Sequence, residues 1–281
     1  MCLIIFRWQP DEPERLILLG NRDEFYRRPT LQAYAWEDHL GVVAGRDIEA
    51  KGTWLGIKGR QRLCTVTNFR EVPAEKGDIS RGKIPVDFLE SDLTASSFAQ
   101  RLHTVGANYS GFNALFYDGE QLVYTSNRST TPYSVLQPGT YGLSNHLLDT
   151  PWPKVVRAKA LFSSTLSAAA STQKPLEEQL LSIMADNNHP PDDRLPKTGI
   201  GIEGERLLSP IFIESEHYGT RTSSLVMARR ESMTLIERSH DLASTTDAFD
   251  LSSQAPNSTH KKSSAKTSQS YNDITFVTPL P

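Results

Sequence analysis

The chain is poor in cysteine, in basic excess and in long apolar runs, and each shortage closes off a class of function. Cys2 and Cys64 are the two cysteines of its 281 residues. They form no CxxC pair, so thiolate zinc sites and thioredoxin-type redox motifs are excluded. Two thiols cannot staple a chain of this size, and a reducing compartment is the simpler expectation. Lys plus Arg number 30 against 33 for Asp plus Glu, a net charge of −3. With no basic footprint for a phosphate backbone, nucleic acid is not an expected partner. The longest early apolar run, Cys2 to Phe6, lacks a basic leader and falls far short of the roughly 18 apolar residues of a membrane span. The expectation is a cytoplasmic protein without a transmembrane segment. No HxxxH or HExxH spacing, GxGxxG, P-loop or CxxCH occurs, so no metal site and no required cofactor are expected. A lone His or Cys can still ligate haem axially, because that needs no motif.

What is present suits a packed fold. Apolar residues make up 38% of the chain, enough for a core with some sequence left outside it. Residues 2–6 and 16–20 read as two strands of a hairpin. Further strand candidates are 41–44, 53–57 and 63–67. Helices are expected after Ser80, a candidate cap, and from Thr94 to about Val105. Asp118-Gly119 between the apolar runs 112–117 and 121–125 is a strong hairpin signal. Helical patterns follow over 152–170 and 175–186, then strands over 210–213, 223–228 and 233–237. Runs of strands alternating with runs of helices argue for an α+β layered fold rather than βαβ units. The Ser/Thr-rich stretch 244–270 reads as a disordered insertion within a single domain spanning 1–281. A returning terminal strand is expected over 273–279.

Cys2 is the first chemical candidate. Initiator methionine is generally removed before a small residue, which would leave Cys2 with a free α-amine. That amine titrates near neutrality and can take the thiol proton, so nucleophile and base sit in one residue. The alternative is a small apolar residue opening a strand. Asn21-Arg22-Asp23-Glu24 ends the second strand, beside Cys2 if the hairpin pairs. Arg22 could depress the thiol or hold a carboxylate, and Asp23 could orient the ammonium. Asn68, Asn145 and Arg221 occupy similar strand ends. Asn amides suit an oxyanion and Arg suits a carboxylate, although each is also an ordinary turn residue. Asn21, Glu24, His146 and His217 join Arg22 and Arg221 as candidate ligand-binding residues.

These stretches resemble a known family. Met1-Cys2-Leu3-Ile4, Gly20-Asn21-Arg22-Asp23-Glu24, Gly52-Thr53-Trp54-Leu55-Gly56, Thr67-Asn68-Phe69-Arg70, Gly142-Leu143-Ser144-Asn145 and Tyr218-Gly219-Thr220-Arg221 look like the NRDE family, that of transport and Golgi organisation protein 2. The likeness covers roughly residues 1 to 240. It implies an α+β fold, the four-layer αββα sandwich of the N-terminal nucleophile (Ntn) hydrolases. It is similar, more distantly, to cholylglycine hydrolase and penicillin V acylase. By position that implies Cys2 as nucleophile, Arg22 and Asp23 orienting it, Asn68 and Asn145 as oxyanion or orienting groups, and Arg221 steadying the site. Family knowledge implies a different activity: intracellular binding and trafficking of haem or a similar small amphipathic ligand. The expectation is therefore a haem-binding protein on an Ntn scaffold, with an N-terminal-cysteine amidohydrolase as its alternative.

Overall fold

A computed structural model describes residues 2–168, 173–240 and 271–278. The stretch 244–270, expected to be disordered, lies outside the described residues. The chain opens with a long antiparallel hairpin, β1 (Cys2–Trp8) and β2 (Glu14–Phe25). Strands β3 (Thr30–Ala35), β4 (Val42–Asp47), β5 (Leu55–Lys58) and β6 (Arg62–Asn68) follow. Two helices, α1 (Lys83–Glu90) and α2 (Ala95–Thr104), precede β7 (Phe112–Tyr117), β8 (Leu122–Ser126), β9 (Ser134–Val135) and β10 (Gly139–Leu143). Then come α3 (Pro153–Ala168), α4 (Leu176–Ile183), α5 (Ile202–Leu207), β11 (Tyr218–Arg229), β12 (Met233–His240) and β13 (Tyr271–Thr278).

The strands form two antiparallel sheets. One runs β10-β1-β2-β11-β12-β13 and the other β3-β4-β5-β6-β7-β8-β9. Side chains alternate along a strand, so each sheet has two faces to cover. From β1, Ile4, Phe6 and Trp8 point between the sheets with Leu18, Ile57, Leu115 and Tyr117. Leu3 and Ile5 point the other way, against Val155, Ala158 and Phe162 of α3 and Leu180 of α4. The second sheet turns Ala114 and Phe116 towards Phe88 of α1 and Phe98 and Leu102 of α2. The layers are thus α1/α2, sheet, sheet, α3/α4: a four-layer αββα sandwich of the α+β class.

Local signals explain the elements. Thr94 caps α2 by accepting from the Ser97 amide. Gly119 turns β7 into β8 at φ +95°, a conformation that suits glycine. Ser80 does not cap α1: the cap position is Gly82, without a side-chain bond, and the Ser80 hydroxyl accepts from the Gly82 amide instead. Residues 210–213 form no strand, although their composition favours one. Their backbone is committed elsewhere, because Phe212 N–H donates to Asp186 O and Ile211 O accepts from the Asn21 amide. Strand β3 was not expected from the sequence; its exposed, mixed residues hide the alternation.

One buried carboxyl ties the sheets together. Glu237 on β12 accepts from the Ala33 amide on β3 at 2.7 Å. Burial pushes its carboxyl up to about 7. A raised folded value means the folded state holds a proton that the unfolded state has lost between about pH 4.5 and 7. Its contribution is complete below that window and is lost as pH rises through it. Glu237→Gln keeps the acceptor and removes the charge. The variant is expected to gain on the wild type across that window, by on the order of 2–3 kcal/mol at pH 7.5. Urea unfolding at pH 4.5 and 7.5 checks this; a difference independent of pH would mean Glu237 is ionised throughout.

Candidate active site

Register brings the first candidates together. Cys2 pairs with Arg22 across the β1–β2 hairpin, and Asp23 pairs with Thr220 on β11. The β2–β11 ladder skips Arg221, leaving it as a bulge between Thr220 and Thr222. Bulges re-aim side chains at strand ends, and this one does so next to Cys2. A cavity of about 290 Å³ opens here, lined among others by Cys2, Arg22, Asp23, Glu24 and Asn68. Trp54, Arg81, Thr222 and Glu237 also line it.

Cys2 is buried, 6% exposed, at the start of β1. Burial pushes its thiol up, and the carboxylate of Asp23 adds to the effect while Arg22 opposes it. The thiol is therefore protonated at neutral pH. Asp23 is also buried; Thr220 Oγ1 donates to its Oδ1 at 2.7 Å, and Tyr218 OH donates to its carbonyl at 3.0 Å. Burial raises its carboxyl, while the Lys154 ammonium and the Thr220 hydroxyl pull it back. Arg22 sits 3.6 Å from Glu24 and 3.7 Å from Asp47. Asn68 ends β6, and its side-chain amide makes no hydrogen bond among the described residues. Its backbone carbonyl accepts from Asn145 Nδ2 at 3.1 Å.

Other candidates lie elsewhere. Asn145 is fully buried beside the cavity and does not line it. Its neighbour Ser144 donates to the Cys2 carbonyl at 3.2 Å, so the pair fixes the start of β1 from the side. Arg221 does not line the cavity either. From its bulge it donates to the carbonyls of Phe25, Tyr26 and Arg28 at 3.0–3.2 Å, clamping the turn after β2. Asn21 faces away, donating to Met184 O and Ile211 O at 2.8 and 2.9 Å. His146 stacks near Phe69 and Trp152 and bonds Thr150, outside the cavity. His217 is on the surface, its side chain 79% exposed. Among the described residues no group of three or more His, Cys, Asp or Glu is placed to hold a metal ion.

Two cations among the residues that the sequence does not single out bear on the site. Arg81 lines the cavity, just before α1. Lys154 is buried at the start of α3, where it donates to Leu208 O at 3.0 Å behind Asp23. The signal for Lys154 was present: it leads the stripe Lys154, Ala158, Phe162 at helical spacing, a cation on an apolar face. Arg81 carried no such signal.

The sandwich and its buried first-strand cysteine define the structural class. Within it, the chain belongs to the Transport and Golgi organisation 2 family, whose model matches residues 1–241. It is 36% identical over 260 residues to the Transport and Golgi organization 2 homolog of Mus musculus, covering 85% of this chain and 93% of that protein. The Homo sapiens homolog is 33% identical over 259 residues, with the same coverage of each. A conjugated bile acid hydrolase mutant from Clostridium perfringens is similar with a TM-score of 0.46 at 8% identity, over 84% of this chain and 88% of that one. No helix among the described residues is long and apolar enough to cross a membrane.

Burial pulls Lys154 down to about 8, against an ordinary value near 10.5. Between these values the unfolded chain carries a proton that the folded one has lost, so stability rises with pH across the window. Wild type is expected to gain on Lys154→Met between pH 8 and 10, by at most about 3 kcal/mol. Urea unfolding of both proteins at the two pH values checks it, and a constant difference would show a Lys154 that stays charged.

Proposed function

We propose that the cavity is the acyl-transfer site of an amide hydrolase with Cys2 as nucleophile. The observation that carries this reading is the convergence of Cys2, Arg22, Asp23 and the uncommitted Asn68 amide on one cavity. The proposal requires loss of Met1, which frees the Cys2 amine. That amine takes the thiol proton as Sγ attacks the amide carbonyl carbon. The oxyanion draws the donor amide of Asn68, whose position Asn145 fixes through the Asn68 carbonyl. The C–N bond then breaks, the leaving amine takes the proton, and a thioester remains on Cys2. Water attacks the thioester, the acid leaves, and the thiol regains its proton. Asp23, held by Thr220 and facing Lys154, orients the ammonium.

Haem as cargo is the second reading, and its warrant is the family. The cavity's lining gives it less support. Five cations and four carboxyl groups face the space, where a porphyrin needs apolar walls. His146 and His217 lie outside, and the one soft donor, Cys2, is held as a thiol rather than a thiolate ligand.

Protein from its native host is expected to lack Met1 by intact mass, and to cleave members of a panel of N-acyl amides through a Cys2 thioester seen by mass spectrometry. Cys2→Ala should lose at least about 10³-fold in kcat/KM. Retained Met1, or turnover indifferent to Cys2→Ala, would overturn the hydrolase. A saturable Soret shift on haem titration, abolished by Cys2→Ala, would favour the cargo reading instead.

A further inference from the structure

The cavity's cations differ in what they are already doing. Arg22 and Arg28 face Glu24 and Asp47, with Arg28 Nε at 2.5 Å from Asp47. Arg46 pairs with Asp38 at 2.6 Å. Their charges are matched by the protein itself. Arg81 and Lys76 make no ion pair among the described residues. Lys76 is an exposed rim residue, whereas Arg81 is partly buried. Arg81 Nη1 donates to Gly111 O at 3.1 Å, and the rest of its fork makes no hydrogen bond among the described residues. The two acids that it senses are committed: Glu24 to Arg22 and Arg28, Glu71 to Arg128 at 2.7 Å.

The backbone around Arg81 is held in place. Thr53 N–H donates to Gly82 O at 3.0 Å. A Cβ on Gly52 would lie 2.4 Å from the Gly82 carbonyl carbon, so the two segments meet backbone to backbone. A half-buried guanidinium, anchored by one bond and unmatched by any acid, is a standing demand for an anion. It shares the cavity with Cys2, and the cavity's volume is at the low end for small-molecule sites.

We infer that Arg81 is the anion anchor of this cavity, and that the amide cleaved at Cys2 carries a carboxylate a short distance from the scissile bond, as in an N-acyl amino acid. This substrate class rests on the hydrolase reading; the anchor itself does not. Arg81 rather than Arg22 or Arg221 is free to hold a carboxylate, because those two are occupied by Glu24, Asp47 and backbone carbonyls.

Two measurements separate the anchor from the nucleophile. The first is alkylation of Cys2 by iodoacetate and by iodoacetamide, read by peptide mass spectrometry. The wild type is expected to favour the anionic reagent at least about tenfold more than free cysteine does, Arg81→Gln to lose that preference, and Arg81→Lys to keep much of it. The second is calorimetric titration of an N-acylglycine and its carboxamide into Cys2→Ala, with and without Arg81→Gln. The carboxylate should bind at least about tenfold tighter only where Arg81 is present. Carboxylate preference without Cys2 reactivity keeps the anchor and removes the hydrolase. Reactive Cys2 with a reagent ratio equal to free cysteine's, or a binding preference untouched by Arg81→Gln, overturns the anchor. Should Arg81→Gln fail to fold, the wild-type ratio and Arg81→Lys decide it, a ratio no higher than free cysteine's overturning the proposal.

Discussion

The site depends on strand register. β2 lies between β1 and β11, and it places Arg22 opposite Cys2 and Asp23 opposite Thr220. A slip of one residue would turn Arg22 towards the helices and Asp23 towards the other sheet. Both faces of this sheet are buried and apolar along most of β1 and β2, so alternating polarity alone specifies the register weakly. Asn21 supplies what polarity does not. Its amide donates to two carbonyls on the helix side and its oxygen accepts from Ser223 Oγ at 2.6 Å. In a slipped register that amide would be buried without partners, at about 1–3 kcal/mol for each unsatisfied group. Asn21 therefore acts on the site as a register pin rather than as a ligand.

Behind the cavity lies a wall of buried charge. Arg70 and Glu205 pair at 2.9 Å, each side chain 5% exposed, and the Arg70 guanidinium lies 4.8 Å from the Trp152 ring centroid. Glu205 Oε1 is in turn bonded by Thr198 N–H at 2.8 Å. A buried pair of this kind adds little net stability, since desolvation offsets the Coulomb gain. Its value is positional. Arg70 N–H donates to Asn145 O at 2.7 Å, so the exits of β6 and β10 are locked to each other and to α5. That lock is what leaves the Asn145 amide aimed at the Asn68 carbonyl. The Asn68 side chain is then left to line the same cavity as Cys2 without being consumed by the wall.

Local features were legible in the sequence. The β1–β2 hairpin, the helix starting near Thr94 and the Asp118-Gly119 turn each depend on residues close in the chain. Cys2, Arg22, Asp23 and Asn68 were found as polar residues at strand ends, and the fold brings these four to one cavity. What failed depended on long-range geometry. Residue type and position favour Arg221 as a site residue, and only the bulge reveals that it reaches backbone carbonyls instead. His146 and His217 were chosen for their neighbours in sequence, which the chain then carries elsewhere. Arg81 is invisible in the sequence because its place in the cavity is set by the contact of Gly52 with Gly82, thirty positions apart in the chain.

The charge of the cavity and the state of its thiol belong together. A thiol kept protonated by burial is poorly reactive towards stray oxidants and electrophiles, since the thiolate is the nucleophile. It becomes reactive only where a base and an oxyanion donor are already in place and water is kept out. On the hydrolase reading, cavity walls of arginines paired with Asp47, Asp38 and Glu24 supply fixed dipoles for a developing negative charge, at no reorganisation cost during reaction. They would do little for a flat apolar cargo, which gains from surface removed from water and not from guanidinium forks. A site in which most charges are internally matched reads a ligand by those left over, here Arg81 inside the cavity and Lys76 at its exposed rim. On the proposed reading, selection then falls chiefly to the Arg81 guanidinium and bond cleavage to the strand that carries Cys2.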